Sequence, residues 1–408
     1  MGIFLSGSRI SRIGSKKFEI VMKSIKEVDL NYKKIFLRVD YNVPIKNGEI
    51  LDDSRIKASL ETISYILNFP NVLFIASHLG RPKGEKKAEF SLSPIATHLS
   101  KLLKKEVIFL EDCVGEKVLE TKRKSKFGEI YLLENLRFYE EEEKNDLDFA
   151  KKLAEEIDIY INDAFSASHR AHASIVGITQ FVKEKAAGFQ LIKEVENLKR
   201  VLENIKEPAI LIIGGAKISD KLGVIKNLLP KVDKVLLGGG VIFTIFKALG
   251  YEIGKSIYEE NMLKEGELIG KEEKVVLPKD VLIASEISEK AHYYNTPIGE
   301  IRKDYYGVDI GKETIAQYVK IISQAKTVIF CGPMGIFEIE PFSCGTREII
   351  KAIANVSEKG AFSLAGGGDT VSAINQFNYA DKFSFLSMAG GATLEFLEGR
   401  ELPGLKAL

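Results

Sequence analysis

Ala209-Ile210-Leu211-Ile212-Ile213-Gly214-Gly215-Ala216-Lys217 is the stretch that decides the fold class. Its first five residues are all apolar, with no alternating polar position. A strand solvated on one face alternates; a strand covered on both faces reads as a continuous run. The glycines that follow end the strand in a turn that other backbone or a ligand can approach closely. This is one unit of a parallel α/β sheet, in which an amphipathic helix should carry the chain back.

Working outward, the same unit recurs. In the first half the runs are Lys34–Val39, Val72–Ala76, Ile130–Leu133 and Ile157–Ile161. In the second half Ala209–Ile213 is joined by Lys234–Leu237, Thr327–Cys331 and Ala361–Ala365. Between the halves, Leu191, Val195, Leu198, Leu202 and Ile205 recur at steps of four and three, so they share one helical face, and Pro208 ends the segment. The expectation is an α/β protein of two doubly wound, Rossmann-like parallel-sheet domains joined by an interdomain helix. A chain of 408 residues is long enough for two cores. The expected division is an N-terminal extension at 1–21, disordered or not native; a first domain at 22–188; the helix at 189–206; a second domain at 207–390; and a segment at 391–408 returning to the first domain.

In open α/β sheets ligands sit beyond the carboxyl ends of the strands. In the first half those ends are charged. They read Arg38-Val39-Asp40-Tyr41-Asn42 with Arg55 following, Ser77-His78-Leu79-Gly80-Arg81, Glu134-Asn135-Leu136-Arg137, and Asn162-Asp163 with His169, Arg170 and His172 beyond. A guanidinium presents parallel donors to carboxylate and phosphate oxygens. One such arginine is ordinarily a surface ion pair, but one at each of four strand ends implies a small, multiply anionic ligand. Packing or hydrogen bonding is the expected duty of the histidines, and none is assigned as a general base.

In the second half the ends are glycines: Gly214-Gly215, Gly238-Gly239-Gly240, Gly332-Pro333-Met334-Gly335 and Gly366-Gly367-Gly368-Asp369-Thr370, with Gly390-Gly391 later. Such turns are either tight connections or phosphate cradles, where free amides and a helix dipole meet an anion. Asp369 and Thr370 read as N-caps, and Asp369 also as a Mg²⁺ ligand. Lys217 and Lys221, four apart at the expected start of a helix, would point at the same phosphates. No G-x-G-x-x-G follows a strand, which disfavours a nicotinamide dehydrogenase. Gly250–Ser256 is one residue short of a P-loop and follows a helix, so Gly250 reads as a C-cap.

Apolar residues make up 45% and charged residues 28%, at net +1. That balance argues against a nucleic-acid or membrane-surface binder. Cys113, Cys331 and Cys344 form no paired spacing, so no disulfide framework or zinc site is expected. Anion-binding arginines facing phosphate-binding glycines imply phosphoryl transfer across a closing cleft by positioning and charge neutralisation. With no base in view, the acceptor should already be ionised, such as a carboxylate.

Read in order, Arg38 to Pro44, Ser77 to Pro82, Glu134 to Phe138, His169 to His172, Gly214 through Lys221, Gly332 to Glu338, and Gly367 to Thr370 resemble the phosphoglycerate kinase family from about Met22 to Leu408. The resemblance implies reversible transfer between 1,3-bisphosphoglycerate and MgADP, giving 3-phosphoglycerate and MgATP, in a cytoplasmic, monomeric glycolytic enzyme with no nucleic-acid or membrane partner. By that resemblance Asp40, Asn42, Arg55, His78, Arg81, Arg137 and Arg170 would hold the phosphoglycerate. Arg55, Lys217 and Lys221 would be catalytic. Lys217, Lys221, Gly307, Glu338, Gly367, Gly368, Asp369 and Thr370 would hold the nucleotide, with Mg²⁺ at Asp369. The chain departs from the family pattern at Ser166-Ala167-Ser168, at Tyr305-Tyr306, and at Met388-Ala389 where the family usually has Thr-Gly. If position 389 needs a positive φ, alanine there costs on the order of 1 kcal/mol and slows the reaction; a non-catalytic relative that kept the scaffold is the alternative.

Overall fold

The computed structural model describes residues 22–408, so the expected extension at 1–21 lies outside it. Two six-stranded sheets, each wholly parallel, organise the chain. Across the first sheet the strands run Ile108–Leu110, Ile130–Leu133, Val72–Ala76, Lys34–Arg38, Ile159–Asn162 and Glu184–Ala187. Across the second they run Val275–Val276, Lys234–Leu237, Ala209–Ile213, Thr327–Cys331, Phe362–Gly366 and Phe385–Ser387. Each sheet has apolar clusters on both faces, which is why its central strands are continuous apolar runs.

In both sheets the strand order reverses beside the first strand of the half. Ile35 pairs with Leu73 on one side and Ile159 on the other; Leu211 pairs with Val235 and Ile329. A reversal of this kind leaves room for a ligand above the strand ends.

The helix Phe189–Glu203 joins the sheets. It buries Leu191, Val195, Leu198 and Val201 in the same cluster as Ala209, Leu211 and Ile213. Truncating one of these to alanine would cost about 2–5 kcal/mol. The periodicity overran the helix by two residues: Asn204 leaves helical geometry (φ −129°, ψ 42°), so Ile205 packs from a loop. At the other end of the chain, the Gly404 amide donates to the Ser168 carbonyl (2.8 Å) and Lys185 Nζ to the Ala407 carbonyl (3.1 Å).

A three-stranded antiparallel sheet, Tyr293–Pro297, Asp280–Ala284 and Tyr306–Ile310, is inserted in the second half. Gly250 follows the helix Val241–Ala248 at φ +86°, with its amide on the Lys247 carbonyl and the Tyr251 amide on the Phe246 carbonyl, the C-cap read from sequence.

Candidate active site

Asp40 is the centre of the first half's site. It lies just past the strand Lys34–Arg38, at the point of reversal. Arg55 Nη1 is 2.7 Å from its carboxylate, the Asn42 amide donates to it at 2.9 Å, and the Ser166 hydroxyl donates from the neighbouring strand end. Burial alone would raise its pKa, but Arg55 and these donors prevail and hold it below the usual value. Asn42 Oδ1 accepts from the Gly80 amide (2.8 Å), and the Gly80 carbonyl accepts from Arg137 Nη1 (2.9 Å). Arg137 Nε also lies 3.2 Å from the Glu143 carboxylate. Thus Asp40, Asn42, Arg55 and Arg137 form one network, and His78 lies against it.

Arg81 and Arg170 leave the same loops but are exposed; Arg170 Nε lies 3.1 Å from His169 Nε2. The histidines are held neutral. Burial first, then neighbouring guanidinium groups, push His78 well below its ordinary value and His172 down to about 3. Neither suits a general base. Arg38 departs from its expected role as one of the ligand-facing forks. Its side chain is 0% exposed, because the strand it ends is covered on both faces.

The second half separates two kinds of glycine. A Cβ on Gly214 would sit 2.0 Å from the Pro333 carbonyl oxygen, on Gly239 2.6 Å from the Gly215 nitrogen, and on Gly332 2.2 Å from the Gly214 carbonyl oxygen. The Gly215 and Gly239 amides donate to the Pro333 and Met334 carbonyls (both 2.8 Å). These turns are glycine-rich because three loops touch, so their amides are not the expected cradle. Gly368 and Gly390 differ: a Cβ on either meets nothing within 4 Å.

Gly368, Asp369 and Thr370 form the first turn of the helix Gly368–Gln376, whose N-cap is Gly367 at φ +102°. Asp369 and Thr370 are therefore not caps. Thr370 turns its hydroxyl inward, donating to the Gly366 carbonyl (3.0 Å) and accepting from the Gly332 amide (2.8 Å). Asp369 is exposed at the dipole's positive end. Among the described residues no cluster of three metal-ligating side chains occurs, so a lone carboxylate suits a cation that arrives already held by phosphates.

Lys217 and Lys221 are not on a helix together. The helix begins at Leu222 with Lys221 as N-cap, and Lys217 lies in the preceding turn. The Lys221 Cε lies 3.8 Å from where a Gly215 Cβ would sit, over the glycine turn. Lys217 faces Glu259, whose carboxylate takes the Ser219 amide and hydroxyl. Gly307 lies on the inserted sheet, donates to Ser256 Oγ (2.9 Å), and leaves room for the Phe243 ring, which a Cβ would meet at 2.0 Å. The Ile336 amide donates to the Val308 carbonyl (2.9 Å), bringing the loop that ends in exposed Glu338 to the same strand.

The halves share a crevice lined by Asp40, Arg55, Ser166, Glu194, Met388 and Ala389, with about 30 Å³ inside, room for a water molecule. Arg55 Nη2 crosses it to the Met388 carbonyl (3.1 Å). Glu194, on the joining helix, accepts from the Ser387 hydroxyl (2.7 Å). Ala389 is not among the positive-φ residues; the left-handed residue of this turn is Gly390, at +57°. Ala389 is buried against the core, and its Cβ carries none of the expected strain.

Sequence reasoning passed over Ser166, Ser256 and Phe243. Ser166 was visible only as a departure from the family pattern. Ser256 closes the Gly250–Ser256 stretch, which was read only for its cap, and nothing local marks Phe243; both reach the site from elements distant in sequence.

Comparison with known proteins follows the same outline. The family model of phosphoglycerate kinase matches residues 25–400. A phosphoglycerate kinase of Dictyoglomus turgidum is 49% identical over 389 residues, covering 94% of this chain and 97% of that protein. One of Thermosipho africanus is 46% identical over 391 residues, covering 94% and 97%. The structure of phosphoglycerate kinase from Coxiella burnetii aligns with TM-score 0.85 at 41% identity, covering 95% of this chain and 98% of that one. With its two parallel sheets, its arginine and glycine strand ends, and a match from residue 25 to residue 400, the chain belongs to the phosphoglycerate kinase family.

Proposed function

We propose that the chain moves the acyl phosphoryl group of 1,3-bisphosphoglycerate to MgADP, reversibly, giving 3-phosphoglycerate and MgATP as a step of glycolysis. A β-phosphate oxygen of ADP attacks the phosphorus, the phosphorus–oxygen bond to the carboxyl breaks, and the carboxylate leaves. No proton moves, so no base is needed. The neutral state of His78 and His172 supports this reading.

In this proposal the first domain, 22–188, binds phosphoglycerate through Asp40, Asn42, Arg55, His78, Arg81, Arg137 and Arg170. The second, 207–390, binds nucleotide through Lys217, Lys221, Gly307, Glu338 and the amides of Gly367 to Thr370. Asp369 would hold the Mg²⁺ that accompanies the nucleotide, whose chemistry there would be neutralisation of phosphate charge. Arg55, Lys217 and Lys221 neutralise the transferring group. The helix Phe189–Glu203 and the segment at 391–408 connect the domains. The enzyme acts as a cytoplasmic monomer on small molecules alone, without nucleic acid or membrane. No helix among the described residues is long and apolar enough to cross a membrane.

One observation carries the reading: Arg55 stands in the crevice with one edge on Asp40 and the other on the Met388 carbonyl, at the start of the turn that carries Gly390. A guanidinium placed there meets both reactants when the domains close. The test is a coupled assay of ATP consumption with 3-phosphoglycerate as acceptor. Turnover is expected; nucleotide binding without turnover would sink the proposal.

A further inference from the structure

We propose that Arg38 is a positioning residue that holds His78 as a neutral ring with its proton on Nε2, so that the imidazole meets phosphoglycerate as a hydrogen-bond donor. This deepens the reading above and rests on His78 touching that ligand.

Arg38 is wholly buried and every edge of its guanidinium is used. Nε donates to Ser174 Oγ (2.8 Å), Nη1 to the Val39 carbonyl, and Nη2 lies 3.2 Å from His78 Nδ1. Ser174 in turn donates from its hydroxyl (2.6 Å) and amide (2.9 Å) to the Glu142 carboxylate, which lies 4.0 Å from Nη2 and is also fully buried. The guanidinium is thus fixed by groups on two other segments, and no ligand can reach it.

Arginine has no acceptor and does not lose its proton in proteins. Whatever faces Nη2 must accept, so Nδ1 carries no hydrogen. A neutral imidazole then has its hydrogen on Nε2. The second protonation that would make the ring cationic is opposed from several sides. Burial disfavours it most; Arg38 on its own strand end, Arg137 from the third strand end and Arg55 from the following helix also oppose it; Asp40 alone favours it. His172 lies beside Glu142, with Nδ1 3.9 Å from that carboxylate. The site so built offers an anion a neutral donor beside guanidinium charge, with a hydrogen whose position does not change with pH.

The direct test is long-range proton–nitrogen NMR on the ligand-free protein with labelled histidine. Expected is an unprotonated Nδ1, a protonated Nε2, and no titration of His78 around the ordinary 6.5. A proton on Nδ1, or a ring titrating there, would overturn the proposal. Arg38→Met should give a tautomer mixture and raise KM for 3-phosphoglycerate roughly tenfold with kcat changed less than about threefold. Arg38→Lys, which keeps a charged donor, should recover part of that loss. In a His78→Ala background, Arg38→Met should change KM by less than about threefold; an undiminished effect means that Arg38 acts without His78. Should Arg38→Met not fold, the wild-type spectrum decides. The spectrum needs no phosphoglycerate, so absent turnover would strike at the proposed function and leave the tautomer result standing.

Discussion

Replacing Glu194 by glutamine should make the protein more stable at alkaline pH and leave it unchanged in acid. Glu194 is buried where the joining helix meets the end of the second sheet, accepting from the Ser387 hydroxyl and the Met388 amide. Burial first, only partly offset by these donors and by Lys193, pushes its carboxyl from 4.5 up to about 7. Between those values the folded protein holds a proton that the unfolded chain has released. The unfolded state binds fewer protons there, so stability is full below 4.5, falls as pH rises through about 7, and is flat above. The interval corresponds to roughly 3 kcal/mol. Asp163, which lines the same crevice and is raised by burial from 3.8 to about 7, adds a slope of the same sign. Glutamine copies the protonated acid at one of the two sites. The variant should match wild type near pH 4.5 and exceed it by up to about 3 kcal/mol near pH 8, while the slope from Asp163, and from Asp309, whose carboxyl burial raises to about 8, remains in both proteins. Urea unfolding of both proteins at several pH values, followed by circular dichroism, measures the difference. A gap between variant and wild type that stays constant from acid to alkali would refute the argument, because a purely steric effect carries no proton.

Arg55→Ala should lower kcat roughly 100- to 1000-fold while MgADP affinity, by calorimetry, changes little; near-normal turnover would remove its transition-state role. Asp369→Ala should weaken MgADP about tenfold, about 1.4 kcal/mol, with 3-phosphoglycerate binding unaffected, and unchanged nucleotide affinity would count against the metal role. Gly307→Ala forces a methyl onto the Phe243 ring; a loss of about 1–3 kcal/mol in denaturation and a raised KM for nucleotide are expected. Ala389→Gly should bring no gain in kcat and a stability loss of about 0.4–1 kcal/mol, since the backbone at 389 does not need glycine.

The central strands were legible because burial on both faces leaves a one-dimensional trace: Val72–Ala76, Ile130–Leu133, Ala209–Ile213, Lys234–Leu237 and Thr327–Cys331 are found at their expected bounds. Two of the edge strands leave little. Glu184-Lys185-Ala186-Ala187 is half polar, and Val275–Val276 has only two residues. The inserted sheet was missed because Tyr293–Pro297 is largely solvated and its partner Tyr306–Ile310 opens with tyrosine and glycine. Residue types at strand ends pointed to anion chemistry, yet could not tell a fork that faces solvent, Arg170, from one sealed beneath it, Arg38. Nor could composition separate Gly214, which makes way for the Pro333 carbonyl, from Gly368, which makes way for nothing in the protein. Both distinctions arise from contacts between segments far apart in the chain.

The chain passes between the two sheets twice, once through the helix Phe189–Glu203 and again where Gly404 and Leu408 reach back toward Ser168 and the first sheet's core. A body tethered at one place can swing and spin; a body held at two pins turns only about the line through them. On the closure proposed above, that restriction would leave essentially one coordinate for the approach of the reactants, and the same atoms would come face to face each time.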